Sequence, residues 1–166
     1  MSTIPERKPT RLKNFDYDTA GAYFITICTK DRKEILSDIV GEGSALPKLT
    51  ICGEIVHEAI QDIPVKYPEI SVDHYVIMPN HIHMILSLIK DSGRVDPSPT
   101  ITSVIGWLKY RATKDILQAI GNTHQSIFQR SFYDHIIRNR DDYDMIARYI
   151  HENPMKWKYD RFYKNE

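Results

Sequence analysis

Residues 70–78 and 81–89 are two apolar, β-branched runs separated only by Pro79-Asn80. Two strands joined by so short a turn have to fold back on each other as an antiparallel hairpin. That requirement excludes an all-helical bundle. It also excludes a purely parallel sheet, whose strands need long crossovers.

The rest of the chain supplies the partners of this hairpin. Residues 22–29 are rich in aromatic and β-branched side chains and read as a strand. Residues 30–47 read as a loop broken by Gly41, Gly43 and Pro47, with room for a short strand at 35–40. Residues 49–63 read as a helix with Ile51, Ile55, Ala59 and Ile60 near one face, ended by Pro64. Residues 91–99 read as a loop, after which Ser98 or Thr100 can cap a longer helix. In that helix Ile101, Val104, Ile105, Leu108, Ala112 and Ile116 recur at helical spacing. Residues 131–138 read as a fourth strand. Asp141 or Asp142 opens a last helix that runs through Tyr149 to Asn153 and stops at Pro154.

The order β-α-β-β-α-β-α defines an α+β fold. Its first six elements match the ferredoxin-like split βαβ arrangement with an antiparallel sheet, and the added C-terminal helix carries Tyr149. The length of 166 residues fits one domain, expected over 21–166, after a basic arm over 1–20. No apolar run suits a secretory signal or a bilayer span, so a cytoplasmic protein without membrane attachment is expected. Cys28 and Cys52 are too few for a disulfide framework and have no zinc spacing.

The balance of 22 basic and 22 acidic residues hides an asymmetry. Residues 1–13 set Arg7, Lys8, Arg11 and Lys13 against Glu6, and residues 106–166 hold eleven basic and eight acidic residues. Polyanion binding needs a local positive surface rather than a positive total. The candidates for phosphate contacts are Lys109, Arg111, Lys114, Arg130, Arg138 and Arg140. Trp107, Phe132, Tyr133 and Trp157 are candidates for base stacking, although core packing suits each of them better.

Two constellations carry chemistry. Side chains two apart on a strand share a face, so His81 and His83 present paired imidazoles and Ile82 points away. Such a pair suits a divalent cation that keeps open positions for a phosphodiester. His74, on the preceding strand, reads as structural. Residues four apart share a helix face, so Tyr149 and Asn153 project together. Tyr143 faces elsewhere and is assigned to packing. The adjacent Asp134 and His135 point to opposite sides of a strand and do not form a direct pair.

Residues 76–84, which include Pro79-Asn80-His81-Ile82-His83, residues 128–139 and residues 149–154 together resemble the single-tyrosine HUH transposases. These comprise insertion-sequence transposases and REP-associated tyrosine transposases, and the resemblance runs from about residue 15 to about residue 160. It implies DNA transposition or recombination chemistry on single-stranded or hairpin DNA, with Mg²⁺ or Mn²⁺ as cofactor. His81 and His83 match the metal pair, Tyr149 the nucleophile, and Asn153 the polar residue that completes metal binding. The implied enzyme is an endonuclease and strand transferase working through a 5′-phosphotyrosine link. A homodimer is compatible with the resemblance. Two alternatives stand beside this reading: a domesticated DNA-binding protein of the same fold, and a hydrolase that uses water in place of tyrosine.

Overall fold

The computed structural model describes residues 21–41, 46–89, 99–122 and 124–164. The arm expected over residues 1–20 and most of the loop expected over 91–99 lie outside the described residues. The principal strands are β1 (Gly21–Cys28), β4 (Ile70–Ile77), β5 (His81–Leu88) and β6 (Tyr133–Ile137). They form one sheet in the order β4-β5-β1-β6, with antiparallel neighbours throughout. This is the ferredoxin-like order expected from the sequence. A separate pair, β2 (Ser37–Asp38) and β3 (Lys48–Leu49), realises the short strand expected near 35–40.

The sheet is covered on both faces. One face carries Tyr23, Ile25, Ile27, Ile82, Met84 and Leu86 and packs on helices α1 (Ile51–Gln61) and α3 (Ile101–Ile120). All six stripe residues of α3 are buried there. The helix begins at Thr100, which forms a reciprocal cap with Ser103, and ends at Gly121 with φ 68°. Glycine reaches that left-handed geometry at no steric cost.

The expected face of α1 needs correction. Ala59 and Ile60 are buried and Ile55 packs half-buried against the core as expected, but Ile51 is exposed, and Gly53 and Val56 complete the buried face. A Cβ on Gly53 would lie 1.9 Å from the Leu36 carbonyl oxygen, so the bare glycine lets α1 seat against the 35–37 segment. Pro64 also does not simply end the helical region. It occupies the first turn of a further short helix, α2 (Ile63–Lys66), where its missing N–H costs nothing.

The opposite face of the sheet carries Cys28, Val76 and Ile85. It is covered by α4 (Arg140–Glu152) and by the 3₁₀ segment Asn153–Tyr159 that follows. Asn139, rather than either aspartate, caps α4 by accepting from Asp142 N–H. Pro154 tightens the chain into the 3₁₀ segment, which folds back and buries Trp157 and Phe162 against β5. Both cysteines are free thiols, Cys28 buried and Cys52 half-buried. Among the described residues, no helix is long and apolar enough to cross a membrane.

Candidate active site

Strand alternation turns His81, His83 and Ile85 toward α4, while Ile82 and Met84 face α1 and α3. The two imidazoles are side by side, with ring centroids 4.5 Å apart. They are 0% and 1% exposed, unusual burial for two polar rings. Each ring is held through its Nδ1. His81 Nδ1 lies 2.9 Å from Asn80 Oδ1, and His83 Nδ1 lies 2.8 Å from the Thr26 hydroxyl. An amide oxygen only accepts, so His81 carries its proton on Nδ1 and its Nε2 presents a lone pair. Thr26 reaches His83 because β1 pairs with β5 in the register Thr26↔His83.

Asn80 has a wider role than the turn breaker it reads as in sequence. Its side chain is fully buried. Besides accepting from His81, it donates to the Phe162 carbonyl at 2.9 Å and to the Arg32 carbonyl at 3.5 Å. Its backbone carbonyl takes the Thr29 N–H at 2.9 Å. One residue therefore joins the imidazole pair, the 29–33 turn and the C-terminal segment.

α4 brings Tyr149 over the same spot. Its phenol oxygen lies 3.4 Å from His83 Nε2, and its ring stands edge-on to Phe24 at 6.1 Å. Tyr149 is half-exposed, so solvent and ligand reach it although the imidazoles are covered. Asn153, one turn on, is buried beside both His81 and Tyr149. Its amide nitrogen donates to Asp160 at 2.9 Å.

Asp160 has no signal in the sequence. It follows a 3₁₀ segment with no regular period, and it enters the site only because the chain folds back. Its side chain is 2% exposed, with Oδ2 4.0 Å from His81 Nε2. One donor atom each from His81, His83 and Asp160 can be chosen within 4.8 Å of one another. His81 Nε2 and Asn153 Oδ1 are both buried without a hydrogen-bond partner. Orphaned buried acceptors of this kind are costly, and their convergence with a carboxylate fits a cation. Nitrogen and oxygen donors together suit a divalent metal.

The electrostatics agree with that fit. Burial drives the His81 pKa down to about 4 and also pushes His83 well below the usual imidazole range, so both rings are neutral at neutral pH, the form in which an imidazole can hold a cation. Burial also raises the Tyr149 phenol, which stays protonated until something near it favours the anion.

The remaining sequence candidates scatter. Tyr143 packs its ring on His74 at 5.9 Å and donates to Asp73, the acceptor also used by Ser71 and Ser87. This latch fixes α4 to the sheet edge. Asp134 and His135 do not pair with each other; His135 Nε2 lies 3.3 Å from Asp142 Oδ2 in the first turn of α4. Lys109 donates to the Arg130 carbonyl and, with Lys114 and Arg130, lines a groove of about 520 Å³ between α3 and residues 126–130. Arg111 pairs with Asp62 and Asp115 and stacks on Trp107. Arg140 pairs with Asp144, and Arg138 is exposed. Of the stacking candidates, Phe132 and Trp157 are buried, Trp107 is half-buried and Tyr133 is exposed.

A fold of this order with paired histidines and a facing tyrosine defines a class, and the sequence places the chain in it. Residues 19–153 match the family described as "Transposase IS200 like", and the chain belongs to that family. A Haemophilus influenzae protein of uncharacterised function is 31% identical, over 96% of this chain and 94% of its own. A second protein of that organism, provisionally named a REP-associated tyrosine transposase, is 26% identical over 90% of this chain and 84% of its own. The fold is also that of a solved REP-associated tyrosine transposase bound to a REP hairpin. The match has a TM-score of 0.62 at 24% identity and covers 91% of this chain and 76% of that one.

Proposed function

We propose that this chain is a metal-dependent tyrosine transposase that cleaves and rejoins single-stranded DNA. The observation that carries the reading is the 3.4 Å approach of the Tyr149 phenol to the buried imidazole pair. In the cleavage step the Tyr149 oxygen bonds to the scissile phosphorus and the bond to the 3′-oxygen breaks. The phenol proton is lost to water, which reaches the half-exposed ring, and the departing 3′-oxygen takes up a proton. The DNA 5′ end is left on Tyr149 as a phosphotyrosine. A second 3′-hydroxyl reverses the exchange, so the phosphodiester energy is conserved and no nucleotide cofactor is needed.

His81, His83, Asp160 and the Asn153 amide oxygen are the groups that would hold Mg²⁺ or Mn²⁺. A cation there supplies Lewis-acid withdrawal of charge from the phosphate oxygens. The protein itself fixes each imidazole through Asn80 or Thr26 and holds Tyr149 above them on α4. Lys109, Lys114 and Arg130 line a groove in which a single strand can lie, and Arg138 is exposed, whereas Arg111 and Arg140 are already paired with carboxylates. DNA beside a hairpin is the expected partner.

The test is incubation with labelled hairpin DNA carrying a single-stranded flank, in Mn²⁺, followed by a denaturing protein gel. A protein–DNA adduct is expected, and it should vanish with chelator and in Tyr149→Phe. Binding without cleavage would instead indicate a DNA-binding protein that has left catalysis. Cleaved DNA without an adduct would indicate hydrolysis by water.

A further inference from the structure

The C-terminal segment brings a positive charge to the site that neither the metal chemistry nor the tyrosine explains. The Arg161 guanidinium lies 4.6 Å from the Phe162 ring centroid and 5.8 Å from that of Tyr133. The Arg32 guanidinium lies 5.2 Å from the same Phe162 ring. Phe162 in turn sits 4.5 Å from the His81 ring and 6.0 Å from the His83 ring. Two guanidiniums thus share the aromatic ring that covers the imidazole pair. Among the described residues, neither has a carboxylate within ion-pairing distance. The nearby Asp160 carboxylate is turned inward and is engaged by Asn153 and by the Phe162 N–H.

The backbone is shaped to hold this arrangement. Asp31 and Arg32 both have positive φ, at 55° and 52°, and neither is glycine. Consecutive left-handed non-glycine residues are unfavourable and persist only where their surroundings hold them. Here Arg32 N–H donates to the Thr29 carbonyl, and the Asn80 amide and Lys164 ammonium donate to the Arg32 and Asp31 carbonyls. The same Asn80 amide holds the Phe162 carbonyl. A guanidinium resting on an aromatic face keeps its edge N–H groups free for a planar or tetrahedral oxyanion.

Two uncompensated cations beside a cation-binding pocket repel each other and any metal unless an anion joins them. We propose that Arg161 and Arg32 form a phosphate clamp that grips the DNA backbone at the cleavage point, next to Tyr149. The proposal rests on the transposase reading and adds the residues that seat the substrate. The clamp holds a phosphodiester through charge and bidentate hydrogen bonds and reads no base.

The test uses the full chain carrying Tyr149→Phe, in chelator, so that binding is measured without cleavage or metal. Fluorescence anisotropy with a labelled single-stranded oligonucleotide gives affinity across a salt series. Arg161→Ala should weaken binding about tenfold and lower the salt slope by about 0.7, the value for one single-strand phosphate contact. Arg32→Ala should act in the same direction, and Arg161→Lys should restore the slope while leaving affinity below the parent. Lys66→Ala, on the short α2 helix, removes the same charge and should leave the slope unchanged. A slope unaltered in Arg161→Ala, or lowered equally by Lys66→Ala, overturns the clamp while leaving the transposase reading intact. No DNA binding by the parent protein overturns both.

Discussion

The phenol oxygen of Tyr149 and Nε2 of His83 lie 3.4 Å apart within one chain. The proposed nucleophile and the imidazole pair therefore meet without a second subunit. Mixing Tyr149→Phe with His83→Ala should not restore the protein–DNA adduct, because neither chain holds a complete site. Recovery of adduct in the mixture would mean that α4 is exchanged between subunits. Gel analysis of the mixed and separate proteins decides it.

Asn80 fixes the His81 ring and, through it, the direction of the Nε2 lone pair. Loss of such a supporting hydrogen bond typically costs about 10–100-fold in metal affinity. Asn80→Ala should weaken Mn²⁺ binding by that order in isothermal titration. Asp160→Asn, which removes the only carboxylate of the donor set, should weaken it by at least about tenfold. Unchanged affinity in Asp160→Asn would remove Asp160 from the site.

The metal-free protein should lose stability in acid through the imidazole pair. Both pKa values are lowered in the fold, His81 to about 4. An unfolded histidine takes up its proton near pH ~6.5. Between those limits the unfolded chain binds protons that the native chain does not, so stability is full above about 6.5 and falls as pH drops toward about 4. Thermal unfolding in chelator should show Tm falling through that window, with a shallower fall in a His81→Gln, His83→Gln double variant. Equal slopes in the two proteins would place the acid sensitivity elsewhere.

Gly53 marks where α1 presses on backbone rather than on a side chain. A methyl there meets the Leu36 carbonyl at 1.9 Å, and a carbonyl in a packed turn cannot rotate away as a side chain can. Gly53→Ala should destabilise the protein by about 1–3 kcal/mol, despite the better helix propensity of alanine. Chemical denaturation measures it, and an unchanged midpoint would show that the 35–37 segment yields.

These residues show how far the sequence can be read. The α3 stripe was legible because six apolar positions keep helical spacing over 16 residues and all six are buried. The shared face of His81 and His83 followed from strand alternation, and the shared side of Tyr149 and Asn153 from helical spacing. The face of α1 is harder to read at Ile51, because the helix turns a glycine to the core and a glycine carries no apolar signal. Asp160 and Arg161 were invisible for a different reason. They follow a 3₁₀ segment with a kink at Lys156, and no periodicity carries across it. Their approach to β5 depends on long-range contacts, chiefly from Asn80 to the Phe162 carbonyl. Asn80 itself stood beside the histidines in the sequence, yet its turn position masked its second role.

The pairing of Thr26 with His83 decides which side chains of β5 face the pocket. A one-place slip would hand the pocket to Ile82 and Met84 and send both imidazoles into the hydrocarbon interior beneath α3, so the apolar pattern of β5 that forbids the slip also safeguards the site.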